Sequence, residues 1–120
     1  MEKNSIKKES KESSYVIDFA DFRNYFKRPT ALFGEELGKQ IRTDSGIDKL
    51  IEKHKRIIIK IPEDVLTINP SFLEEFLRNA VKRLGKTGFK ETVTFENPGK
   101  YKVDTDVDNA IASIVWESED

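Results

Sequence analysis

The residues best placed for chemistry are Asn69, Pro70 and Ser71. They stand between an apolar segment ending at Ile68 and an apolar helical pattern starting at Phe72. Backbone N–H groups at a helix start that follows a buried strand make a polar site favourable to anions. A phosphate on Ser71 would meet those donors. The same residues also read as ordinary capping, with Asn69 at the N-cap and Pro70 at the first helical position. Other constellations carry less. Glu35-Glu36, Glu63-Asp64 and Glu74-Glu75 are adjacent pairs, and adjacency does not give two carboxylates the distinct environments that acid–base work needs. Asp104, Asp106 and Asp108 have the spacing of half a calcium loop but lack its glycine and its bidentate glutamate, so they read as capping and surface charge. The only histidine, His54, lies in Glu52-Lys53-His54-Lys55 at an expected helix end, where an imidazolium suits the helix dipole. No G-x-S-x-G elbow accompanies it. Gly34, Gly38 and Gly46 form neither common phosphate-loop pattern. Arg23, Lys27 and Arg28, interleaved with Tyr25 and Phe26, could bind nucleic acid by charge and stacking. They read better as a loop whose rings plug the core while its cations reach solvent. No catalytic residue, cofactor or metal is expected.

These residues need elements to hold them. Tyr15, Ile17 and Phe19 alternate with Val16, Asp18 and Ala20, which predicts a strand over Tyr15 to Phe22. A helix is expected to start between Thr30 and Phe33, with Thr30 as its cap and with Phe33, Leu37 and Ile41 on one face. Ser45-Gly46 breaks it, and Ile47, Leu50 and Ile51 resume the period as far as His54. Arg56 to Pro62, rich in β-branched residues, predicts a central strand covered on both faces. Val65, Leu66 and Ile68 then serve as buried anchors. Phe72, Leu73, Phe76, Leu77, Ala80, Val81 and Leu84 form one apolar stripe, so a long helix follows Asn69 and leaves through Gly85 and Gly88. Phe89 to Phe95 predicts a strand, and Asn97-Pro98-Gly99 a loop. Asp104 or Asp106 caps a last helix along Val107, Ala110, Ile111, Ile114 and Val115, with Trp116 closing the edge of the core. The order is α/β: a small mixed or parallel sheet of about four strands with three to four helices. Ligands and partners of such sheets gather at the carboxyl ends of the strands.

Bulk properties agree with one domain. The chain has 120 residues, 37% of them hydrophobic, and no cysteine, which excludes disulfides and cysteine-ligated metal. Its 21 Lys and Arg against 22 Asp and Glu leave a net charge of −1, so a net-basic nucleic-acid footprint is absent. Residues 1–14 are charged and Ser-rich and predict a disordered leader. Residues 15–116 form the domain and 117–120 an acidic, frayed tail. The start of the chain lacks an apolar signal region, and no apolar run is long enough to cross a bilayer, so the chain is read as cytoplasmic.

Three stretches taken together resemble a known family. They are Ala31-Leu32-Phe33-Gly34-Glu35-Glu36-Leu37-Gly38, then Arg56 to Ile61 followed by Leu66-Thr67-Ile68-Asn69-Pro70-Ser71-Phe72-Leu73-Glu74-Glu75-Phe76, then Thr92 to Asn97. Over roughly residues 15–115 the chain resembles the STAS-like family of unknown function, itself similar to the STAS domains of anti-sigma-factor antagonists. In those domains a strand runs into an Asp-Ser-Ser/Thr-Gly turn whose first serine is phosphorylated by a partner kinase. Here Asn69 falls on the Asp, Pro70 on the phosphorylated Ser, Ser71 on the next residue and Phe72 on the Gly. Pro70 cannot accept phosphate, so such a switch is lost unless Ser71 replaces it. The resemblance implies a non-enzymatic regulatory domain docking a partner protein, an ATP-binding kinase-like regulator among the candidates. Its contact or modification residues would be Asn69, Ser71, Phe72 and Glu75. The alternative is a small-ligand or nucleotide-binding domain using the same helix N-terminus.

Overall fold

In the computed structural model, which describes residues 12–118, the Ile57-Ile58-Ile59 run is the middle of a three-stranded sheet. The strands are β1 (Glu12–Asp18), β2 (Ala31–Leu32), β3 (His54–Lys60), β4 (Thr67–Ile68) and β5 (Val93–Glu96). The helices are α1 (Glu35–Ser45), α2 (Ile47–Lys53), α3 (Pro70–Thr92) and α4 (Asp104–Ser118), and a 3-10 segment covers Phe19–Tyr25. The main sheet has the order β1-β3-β5, with Tyr15 opposite Ile57 and Ile57 opposite Val93. β2 and β4 form a separate two-stranded ladder, with Ala31 opposite Thr67 and Leu32 opposite Ile68. Both sheets are parallel. The α/β class therefore holds, with the strands divided between two small sheets.

The order β1-β3-β5 fixes where the helices go. Both crossovers step the same way across the sheet, and right-handed crossovers that do so lie on one face. Burial agrees: Ile17, Ile57, Ile59 and Val93 are buried, whereas Val16 is 48% exposed, Thr94 is exposed and Ile58 is only half-buried. The expectation of a central strand covered on both faces is thus corrected. Since the strand order never reverses, this sheet also lacks the switch-point crevice where open α/β sheets collect ligands.

The core sits between the covered face and the helices. Phe19 meets Phe72 and Phe76 edge-on at 5.9 and 5.2 Å, and Phe72 stacks on Phe76 at 6.0 Å, as their spacing of four along α3 allows. α1 crosses α3 at Gly38, where a Cβ would stand 2.7 Å from the Phe72 carbonyl oxygen.

Several boundaries differ from the sequence reading, each for a local reason. The first strand stops at Asp18, because its carboxylate accepts a 2.9 Å hydrogen bond from the Ala20 N–H and starts the 3-10 turn. Glu12–Ser14, read as leader, belong to β1, while residues 1–11 lie outside the described residues. No helix starts at Thr30; Ala31–Leu32 pairs with β4, and α1 begins after Gly34, whose φ is 99°. Phe33 therefore falls outside the helix and is 39% exposed. His54 opens β3, buried with its ring 5.1 Å from that of Tyr15. Val65 and Ile68 are buried, but Leu66 is 65% exposed. Gly85 (φ 75°, ψ 171°) breaks α3, and a further helical stretch runs on to Thr92, which shortens the expected Phe89–Phe95 strand to Val93–Glu96. Trp116 does not close the core; it is 71% exposed. Glu117, placed in the acidic tail, is part of α4 and pairs with Arg78 at 3.1 Å.

Candidate functional site: the turn from β4 into α3

β4 delivers the chain to the helix start through its ladder with β2. The Leu66 N–H donates to the Thr30 carbonyl oxygen at 2.7 Å, and the Asn69 N–H to that of Leu32 at 2.8 Å. Asn69 keeps an extended backbone (φ −83°, ψ 142°) as the N-cap, and the helix starts at Pro70. Its Oδ1 accepts from the Ser71 N–H at 2.9 Å and from the Ser71 hydroxyl at 2.5 Å. Its backbone oxygen accepts from the N–H groups of Phe72 and Leu73, at 3.1 and 3.3 Å. Pro70 has no N–H to offer.

Every backbone N–H of the first turn is therefore already engaged. A helix N-terminus attracts an anion through N–H groups left without intrahelical partners, and this one has closed its own. That corrects the expectation of an anion-friendly pocket at residues 69–71. A phosphate on Ser71 would first have to displace the bond to Asn69.

The structure also divides the four site residues. Asn69 is exposed and Ser71 half-buried, so both can be reached from solvent. Phe72 is completely buried in the aromatic cluster, and a partner cannot touch it. Glu75 is 8% exposed, with its two carboxylate oxygens held by Arg42 (3.0 Å) and Arg78. Desolvation by burial pushes its pKa up, but the arginine hydrogen bonds outweigh that and hold the carboxyl below its usual value. Glu75 thus braces α1 against α3 and presents nothing outward. Of the four expected contact residues, Phe72 and Glu75 are thus the buried ones.

Two residues that the sequence reading misses flank the turn. Leu66 stands one position before β4 and Phe33 one position after β2. Type alone would send both to the core. In Leu66 the signal was its neighbour, because Val65 takes the inward position. Behind the turn, the Tyr101 hydroxyl donates to the Asp106 carboxylate and lies 3.5 Å from the Ile68 oxygen, so the loop before α4 supports β4.

Several of the remaining candidates have structural partners. Arg23 grips Asp64 through two bonds of 2.7 and 3.2 Å, and that hydrogen bonding holds the Asp64 carboxyl below the usual carboxylate range. The Tyr25 hydroxyl donates to Asp44 at 2.5 Å, and Phe26 packs on the core. The basic, aromatic stretch is thus an anchored loop. Asp108 pairs with Lys90 at 2.6 Å. Among the described residues, no group of three or more His, Cys, Asp or Glu is placed to hold a metal ion, and no helix is long and apolar enough to cross a membrane.

Comparison with family models, with curated proteins and with solved structures gives no match.

Proposed function

We propose that this chain is a STAS-like, non-enzymatic regulatory domain of the cytoplasm that docks a partner protein through the turn around Ser71. The observation that carries the reading is Leu66, a large apolar side chain 65% exposed at the entrance to that turn. Exposed apolar side chains grouped beside polar ones are the raw material of an interface. Thr67, Asn69 and Pro70 supply an exposed rim beside it. Ser71, joined to Asn69, is the residue whose modification would change the shape of that rim. An ATP-binding, kinase-like regulator is the partner that the sequence resemblance favours. A small ligand or nucleotide at the same helix start is the weaker reading, because the N–H groups it would need are engaged.

The test is a pull-down from native lysate with wild type, Leu66→Arg and Ser71→Asp. Leu66→Arg changes an exposed site and should keep stability within about 0.5 kcal/mol. Both variants are expected to lose a partner that wild type retains, while circular dichroism and melting stay near wild type. Identical partner profiles from three folded proteins would sink the proposal.

A further inference from the structure

The only tryptophan of the chain is also the most exposed of its large apolar side chains among the described residues. Trp116 stands in the last turns of α4, 71% exposed, and forgoes the large burial gain that an indole offers. It walls a pocket of about 430 Å³ whose floor includes Ile111 and Val115. Lys86, Lys90 and Asp108 also line it. A volume of that size falls within the range of small-molecule sites, which combine apolar walls with a few placed polar groups.

The break in α3 creates this arrangement. Gly85, at φ 75° and ψ 171°, ends the first part of the helix and redirects the stretch that follows. Lys86 and Lys90 are four residues apart, so they share one face of that stretch, and both reach the pocket. Their charges are not equally balanced. Lys90 is neutralised by Asp108 at 2.6 Å, whereas no described acid lies within ion-pair distance of Lys86. The pocket thus joins an aromatic wall, an aliphatic floor and one ammonium without an ion-pair partner among the described residues.

That combination selects its occupant. A cation would be repelled by Lys86. A purely apolar molecule would leave the ammonium unused, and a bare inorganic anion would leave the indole and the floor unused. We propose that the pocket between the end of α3 and α4 binds a small aromatic monocarboxylate, its ring against Trp116 and the aliphatic floor and its carboxylate on Lys86. This site lies apart from the Ser71 turn, so each proposal can fail without the other.

Trp116 provides its own readout, since no other indole contributes to the fluorescence. The full chain is titrated with 4-phenylbutyrate, with the uncharged 4-phenylbutan-1-ol and with butyrate, which lacks the ring. A saturable change in Trp116 emission is expected for 4-phenylbutyrate, with a dissociation constant on the order of 1 mM. The alcohol and butyrate should bind more weakly. Lys86→Ala should weaken 4-phenylbutyrate about fivefold, the scale of an exposed ion pair, and leave the alcohol unaffected. Amide shifts in an NMR titration should centre on Lys86, Lys90 and Ile111 to Trp116. Equal binding of acid and alcohol, no saturation well above the expected constant, or shifts centred elsewhere would each overturn the proposal. So would emission that changes with protein concentration alone, together with a dimer by light scattering, because the face would then belong to a second copy.

Discussion

Asn69 holds the start of α3 with both its side-chain and its backbone oxygen, and Ser71 contributes a hydroxyl to the same arrangement. The two residues should not be equally costly to lose. Asn69→Ala removes the cap and should destabilise by about 1 kcal/mol. Ser71→Ala leaves its own N–H on the Asn69 oxygen, so its cost should stay within about 0.5 kcal/mol. Urea denaturation measures both, and equal losses would mean that the hydroxyl, not the amide, secures the turn. The cap itself is legible in Asn69-Pro70-Ser71. That it consumes the backbone N–H groups of the turn is not, because this depends on where the Asn69 carbonyl points. The burial of Phe72 was present in its own helical period with Phe76. The fate of Glu75 was not, since Arg42 comes from another helix.

At the scale of elements, the crossing of α1 and α3 is set by Gly38. A Cβ there would lie 2.7 Å from the Phe72 oxygen and 2.9 Å from the Glu75 Cβ. Alanine would bring a helix-propensity gain of about 1 kcal/mol. Overpacking against a backbone oxygen costs about 1–3 kcal/mol and should prevail. Gly38→Ala is therefore expected to be less stable than wild type by urea denaturation, and a more stable variant would show that the helices can separate freely. Helix identities were legible here because apolar periods extend through α1, α2, α3 and α4. Strand limits were less so. Asp18 turns the chain where alternation would have continued, and Phe89, apolar enough for a strand, lies in the helical stretch beyond Gly85. Both outcomes depend on one residue redirecting the backbone. Ala31–Leu32 became a strand only because Thr67–Ile68 lay beside it.

Across the whole molecule, one chain of charges links three helices: Arg42 on α1, Glu75 and Arg78 on α3, and Glu117 on α4. Glu75 is held below its usual pKa in the folded state. A lowered folded value means stability that is present above the unfolded value of about 4.5 and is lost as pH falls through the folded one. Urea midpoints should therefore drop on acidification across that window. Glu75→Gln should cost roughly 1–3 kcal/mol at pH 7 and show a shallower acid dependence than wild type. Parallel pH curves for the two proteins would remove Glu75 from the cause. Sequence alone exposes only the local piece of this network, Glu75 and Arg78 at a spacing of three on one helix.

The parallel ladders also govern the sequence of events at the ribosome. Among the described residues β1 pairs only with β3, and α1 and α2 must be synthesised before β3 exists. Throughout that interval the nascent chain carries Tyr15, Val16 and Ile17 without a neighbour, because a parallel strand cannot be served by a hairpin. β5 repeats the delay beyond α3. Translation therefore releases the helices of each crossover before the strand that rewards them, and the sheet is completed by contacts between distant parts of the chain, the slow kind to form.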